Sequence, residues 1–324
     1  MARTARFAWG VLLWNVAVIL WGGFVRATGS GAGCGGHWPM CNGEVVPRSP
    51  SVATLIEISH RVTSGGAFFA VLALGVATFV TTPKGHPARR AAVLAMALML
   101  GEVLIGAAIV VLGHVALDPS LLHGVFTELH AGNTFLLLAA LTLTAHHLGG
   151  GPRLRVAGHG AQVASLAQAF VGFALTAGSG AIAALGDTLF PARSLTEGFA
   201  EDISPGAHLF LHLRTLHPIF ALVAFVLLVN ACLAIRARGE RPAVQKDTTR
   251  AARYATYVLI ALAAQMAIGL VNLWLLVPIP TQLLHLASAD VLFILLVLTA
   301  AHALGEPLEG AAVIAPIPLA GEHG

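Results

Sequence analysis

The chain has 324 residues, 57% of them hydrophobic and 10% charged, with a mean hydropathy of +0.82. Soluble domains carry about 25% charged residues, so this composition excludes an ordinary soluble protein and implies an all-α integral membrane one. The formal net charge of +3 comes from cations spread over several short segments. That distribution suits anionic lipid headgroups and gives no nucleic-acid patch.

A membrane-spanning helix needs about 20 mostly apolar residues. Eight stretches qualify, at about 7–25, 53–80, 90–113, 123–146, 157–184, 206–235, 250–275 and 281–304. The first follows MARTAR, has spanning length and lacks a small-residue cleavage site, so it reads as a retained span and not a leader. Thirteen of the 18 Lys and Arg fall at the N-terminus or in the loops after the second, fourth and sixth spans, Arg241 among them. By the positive-inside rule both termini are expected in the cytoplasm, in a multi-pass protein of the cell membrane.

The first outer loop, GCGGHWPMCNG, carries Cys34 and Cys41. On the oxidising face a disulfide between them is expected. A zinc site is the alternative, but it would need two more ligands and His37 supplies at most one. Cys232, in the sixth span, reads as a core residue.

The second span opens TLIEISHRV, placing Glu57, His60 and Arg61 in a run that is otherwise apolar. Ionisable groups in hydrocarbon are costly and persist where they are paired or functional. Later spans repeat the pattern. TGSGA at Thr28–Ala32 recurs as AGSGA at Ala177–Ala181, EVLIGAAIV at Glu102 as QMAIGLVNL at Gln265, EISHRV as RTLHPI, and TELHAGN as TQLLHLASAD. Each unit has four spans, so the two copies face the same way. The expected fold is two tandem four-helix bundles, residues 1–150 and 151–324, related by a pseudo-twofold axis along the membrane normal.

The register pairs His60 with His130 and His217 with His285, on alternate spans and at one depth. Two imidazoles on neighbouring helices can ligate one heme iron axially, so two heme sites are expected. His123 is the alternative to His130, while His114, His208 and His212 read as rim residues and His146 and His147 as helix-end or loop residues. Glu57 lies three residues before His60, on the same face, and Arg214 holds that place before His217. A carboxylate suits proton transfer and an arginine suits a heme propionate. Glu57 and Arg61, at i and i+4, could instead neutralise each other.

Taken together, GGFVRATGSGAGC, HWPMCNG, IEISHR, LHAGNTFLLL, RTLHP and PIPTQLLHL resemble the heme A synthase family, from about Trp14 to Ala303. The resemblance implies oxidation of the C8 methyl group of heme O to a formyl group, with oxygen from water. It implies His60 and His130 as ligands of the substrate heme, Glu57 as catalytic carboxylate, and His217 and His285 as ligands of a heme b cofactor. Arg61 and Arg214 would serve as cofactor-binding cations, and Cys34 and Cys41 match the family's outer-loop pair. A heme O synthase and a heme-copper oxidase are the implied partners. The sequence departs from the family at Glu102, where a glutamine is usual, at Pro218, where an arginine is usual, and in lacking a second cysteine pair before the sixth span. A dihaem cytochrome b-type carrier, a histidine-rich di-iron hydroxylase prompted by HLFLHLRTLH, and a transporter are the competing readings.

Overall fold

The structure, a computed structural model, describes residues 1–239 and 246–306; Arg241 and residues 307–324 lie outside them. Eight helical spans are long and apolar enough to cross a membrane. They are α1 (Ala2–Ala27), α2 (Val52–Thr81), α3 (Pro87–Val111), α4 (Leu121–Leu148), α5 (Gly160–Leu189), the pair α7 (Leu209–Arg214) and α8 (Leu216–Gly239), α9 (Lys246–Trp274) and α10 (Ile279–Ala303). A short helix, α6 (Leu195–Asp202), lies before α7.

Local chemistry sets the helix ends. The side chains of Ser51 and Ser120 accept the N–H groups of Thr54 and His123 and so cap α2 and α4. Pro87 opens α3, where its missing N–H costs nothing. The fifth span runs to Leu189 and not to about 184, because no proline interrupts it before Pro191. The loop expected before the sixth span contains α6, capped by Ser194 on the N–H of Glu197 at 3.2 Å. Finally, the sixth span breaks at Thr215, between α7 and α8. Pro218 lacks the N–H that would bond the Arg214 carbonyl four residues back, which weakens the helix at this point.

α1 packs on α2 and α4, and α3 on α2 and α4; in the last four spans α9 packs on α8 and α10 and α5 on α8, while α5 touches α10 only slightly. The diagonal pairs, α2 with α4 and α8 with α10, are not packed along their lengths. Contacts of α1 with α10, α4 with α5 and α4 with α10 join the sets. Small residues such as Ala8, Ala88, Ala95, Ala140 and Ala255 are fully or almost fully buried there, allowing the close helix approach that stabilises spans in lipid. Phe135 of α4 meets Phe173 of α5 and Phe293 of α10, each with centroids 5.1 Å apart.

Polar ties close both ends. Arg26, at the end of α1, donates to the Ala184 carbonyl at 2.6 Å, to Thr188 Oγ1 at 2.8 Å and to Gln282 Oε1 at 2.9 Å, so one guanidinium spans α1, α5 and α10. At the other end, strand β1 (Arg153–Leu154) pairs antiparallel with β2 (Gly305–Glu306), and Arg155 reaches Glu306 at 2.8 Å. His146 is buried there between His147 and His302, with ring centroids 5.1 and 4.8 Å away. Cys232 is buried in the core as expected.

Replacing Arg26 by methionine leaves three acceptors unmatched. Arg26→Met should destabilise the detergent-solubilised protein by about 2–4 kcal/mol. Arg48→Met, which removes only an exposed 3.8 Å pair with Glu44, should change stability by less than about 0.5 kcal/mol in the same denaturation measurement.

Candidate functional site

The four histidines of the repeat sit on the diagonal helices, and each ring faces a glycine on a neighbouring helix. A Cβ added at Gly22 would lie 3.0 Å from Cε1 of His60, at Gly180 2.9 Å from Cε1 of His217, and at Gly269 2.8 Å from Cε1 of His285. Gly106 stands opposite His130 with more room, at 3.9 Å. Gly106 and Gly269 are the fifth residues of EVLIG and QMAIG, so this seating was present in the repeat and read there only as register.

His217 and His285 face each other with ring centroids 6.2 Å apart and planes at 90°. Imidazoles on opposite sides of one metal ion, each nitrogen about 2 Å from it and the ring centre roughly 1 Å further back, have centroids about 6 Å apart. His217 Nδ1 is 3.0 Å from the Thr176 carbonyl, a contact that makes Nδ1 the donor and leaves Nε2 as a lone pair, the usual preparation of a ligating histidine. His60 and His130 are close enough to interact electrostatically. His60, His130 and His285 each keep a buried ring nitrogen with no hydrogen-bond partner. Histidines buried only for packing would normally be hydrogen-bonded. In all three the nitrogen is Nδ1, and at His130 it is faced by Glu102, so the fit to a group held between the rings rests on the facing geometry of the imidazoles.

Around His130 and His285 the two sets differ. Glu102 Oε2 lies 2.8 Å from His130 Nδ1, though not aligned as a hydrogen bond. Its Oε1 accepts from Asn133 Nδ2 at 2.7 Å and from Thr134 Oγ1 at 3.0 Å. At the equivalent place Gln265 Nε2 is 3.3 Å from His285 Nε2, and Ser288 donates to Gln265 Oε1.

Glu57 is 3% exposed. It ion-pairs with Arg61 and accepts the Cys34 N–H at 2.7 Å. Arg61 also donates to the carbonyls of His37 and Met40, at 2.6 and 2.8 Å. Cys34 and Cys41 form a disulfide, which settles the choice against zinc. The neutralising pair read from the i, i+4 spacing is therefore present, and it anchors the disulfide loop on α2. Arg214, read as a propionate partner, instead holds Asp202 at 2.6 Å and Asp187 at 2.9 Å.

The remaining histidines do other work. His123 Nδ1 is 2.7 Å from the Asp118 carbonyl, in the loop before α4. Burial pushes the Asp118 carboxyl up, but hydrogen bonds from Ser120 and His114 outweigh it and hold the group at about 2. His208 caps α7 and His212 binds the Asp202 carbonyl. Among the described residues no group of three or more His, Cys, Asp or Glu is arranged around a bare metal ion, so HLFLHLRTLH does not form the clustered boxes of the di-iron reading.

A sequence profile of the COX15-CtaA family, described as cytochrome oxidase assembly protein, matches residues 5–297. A protoheme IX farnesyltransferase of Thermus thermophilus is 45% identical over 303 residues, covering 94% of this chain and 49% of the relative. The chain therefore spans about half the length of that relative. A heme A synthase of an Exiguobacterium species is 40% identical over 109 residues, 34% of this chain and 36% of its own length. One of Bacillus mycoides is 37% identical over 128 residues, 40% of this chain and 39% of its own length.

The glycine seats give a direct test. Overpacking costs about 1–3 kcal/mol, so Gly180→Ala and Gly269→Ala should each destabilise the detergent-solubilised protein by that amount. Gly10→Ala, where a Cβ meets nothing within 4 Å, should leave stability as in the parent. Denaturation of the purified proteins reads the difference.

Proposed function

The chain belongs to the COX15-CtaA family of cytochrome oxidase assembly proteins, and from that premise we propose that it is a heme A synthase, converting heme O to heme A. The observation that carries this reading is the duplicated pair of facing imidazoles. In His217 and His285 the ring separation of 6.2 Å and the perpendicular planes match axial ligation of one iron. The two relatives named heme A synthase support the same assignment.

In this reading His60 and His130 hold the iron of substrate heme O, and His217 and His285 hold heme b. A bound heme b supplies one-electron redox chemistry. Turning the methyl group into a formyl group takes one water and releases four protons and four electrons, through successive hydroxylations and a dehydration. The chain must therefore orient the macrocycle edge, admit water there and take up protons. Glu57 is the proton acceptor of this proposal. It lies three residues before His60, and its carboxylate is fixed by Arg61 and the Cys34 N–H before substrate arrives. Such fixed groups aid charge development because they need no reorganisation. Arg61 and Arg214, in their present ion pairs, would set the field around propionates more than bind them head-on.

Orientation follows the cation count. The disulfide end faces outward and the termini lie in the cytoplasm, within the cell membrane. Held by His217 and His285, a heme b would supply one-electron transfer toward an acceptor on the outer side. Heme O is the product of a farnesyl transfer to protoheme, the activity that the Thermus relative's name gives, and that relative has as much chain again outside the match. A heme O synthase is accordingly the proposed supplier and a heme-copper oxidase the consumer.

A dihaem electron carrier shares the four ligands but would use the fixed carboxylate only to anchor the disulfide loop. Extraction and mass analysis of bound pigment from cells that make heme O separates the two. Heme B together with heme O, a hydroxylated form or heme A is the expected result; heme B as the sole pigment, with heme O supplied, supports the carrier. Glu57→Gln should lower heme A formation by about 100-fold or more while heme stays bound; an unchanged yield removes Glu57 from the chemistry.

A further inference from the structure

The two sets of four helices place different groups beside equivalent histidines. Glu102 in α3 and Gln265 in α9 occupy matching positions of EVLIG and QMAIG, four residues before the glycines that seat His130 and His285. Glu102 presents a carboxylate oxygen 2.8 Å from His130 Nδ1. It is pinned from its other oxygen by Asn133 and Thr134, and Asn133 also donates to the Leu98 carbonyl at 2.8 Å. Gln265 is pinned as well, by Ser288 on its carbonyl oxygen, which turns its amide nitrogen toward His285. Asn133 and Ser288 each lie three residues after the histidine of their own helix. The carboxylate thus stands behind His130, at Nδ1, whereas the amide meets His285 at Nε2.

We propose that Glu102 is a positioning residue that makes the iron site of the first four helices electron-rich relative to that of the last four. The inference rests on the bis-histidine heme reading above. A carboxylate can only accept, so it fixes the His130 tautomer with the proton on Nδ1 and the lone pair on Nε2. It also raises the basicity of that imidazole, as carboxylates behind metal-bound histidines do. The 2.8 Å contact lacks hydrogen-bond alignment as it stands, but χ2 of histidine is a broad torsion, and a small turn of the ring aligns it. A stronger donor, together with a buried negative charge nearby, favours ferric over ferrous iron. Gln265 is neutral and donates, so it gives His285 no such push. With heme held at both sites the first would have the lower potential, so an electron given up there would run downhill to the second. That is the direction in which an oxidation at the first site must discharge.

The test uses the full chain in detergent, reconstituted with heme B at both sites and titrated electrochemically with visible-absorbance readout. The parent protein should show two midpoint potentials. Failure of the parent to bind heme at two bis-histidine sites would sink the heme reading itself and is seen before any variant is made. Given two sites, Glu102→Gln should shift the lower potential upward and leave the other in place. Glu102→Asp, which draws the carboxylate back from Nδ1 by one methylene, should shift the same potential in the same direction. If Glu102→Gln keeps its heme and the lower potential does not move, the proposal is overturned. If Glu102→Gln loses heme from the first site, Glu102→Asp decides: an upward shift upholds the proposal and an unchanged potential overturns it.

Discussion

A neutral imidazole buried between membrane helices needs space beside it and a partner for its nitrogens, and the architecture of this protein follows from meeting both needs four times. Space comes from glycines on the adjoining helices. At Gly22, Gly180 and Gly269 a single methyl group would press on the facing ring. The packing order sets α2 and α4, and α8 and α10, diagonally across their sets. Partners differ from ring to ring. Thr176 takes Nδ1 of His217, Glu102 stands 2.8 Å from Nδ1 of His130 and Gln265 reaches Nε2 of His285, while Nδ1 of His60 and of His285 has no hydrogen-bond partner. In hydrocarbon there is no water to fill that role.

Because both sets share this frame, what differs between them carries the functional information. The frame is apolar and small-residue-rich, and it is joined through Phe135, Phe173 and Phe293 and through the Arg26 clasp. Against it stand two substitutions between equivalent places: Glu102 for Gln265 and Glu57 for Arg214. Both put a carboxylate in the first four helices where the second four have an amide or a cation. Buried charge is expensive unless paired, and both carboxylates are paired, Glu57 with Arg61 and Glu102 with Asn133, Thr134 and His130. An oxidation that releases protons belongs on the side holding the carboxylates.

Much of this was legible in the residues because membrane burial restricts what a residue can be. Eight apolar runs became eight spans, and the cysteine pair became a disulfide. His217 faces His285, and His130 stands opposite a glycine of the neighbouring helix. Three things were not legible. The break at Thr215 needs the knowledge that α7 turns toward α6, and proline alone does not force it, since many spans tolerate one. The destination of a guanidinium is a matter of three dimensions, so Arg214 read as a propionate ligand before Asp187 and Asp202 were seen around it. The glycine seats were in view, inside EVLIG and QMAIG, but spacing cannot tell a glycine that admits a ring from one that admits a helix.

The position three residues before the outer histidine shows how one architectural task can be met by opposite charges. In α2 the helix is unbroken, so Glu57 stays on the face of His60 and reaches up to the Cys34 N–H, with Arg61 extending the grip to His37 and Met40. The first outer loop, closed by its disulfide, is thereby clamped over the first set. In the second half the chain breaks after Arg214, and the guanidinium swings to Asp202 at the end of α6 and Asp187 of α5. That clamps the other outer segment over the second set. Both residues fasten a lid at the mouth of a histidine pair. Where the fastening is a carboxylate, the clamp also leaves a proton acceptor beside the site; where it is an arginine, it does not. The difference between the two sets on which the proposed reacting and retained hemes rest is therefore compatible with one fold, because either charge fastens its outer segment.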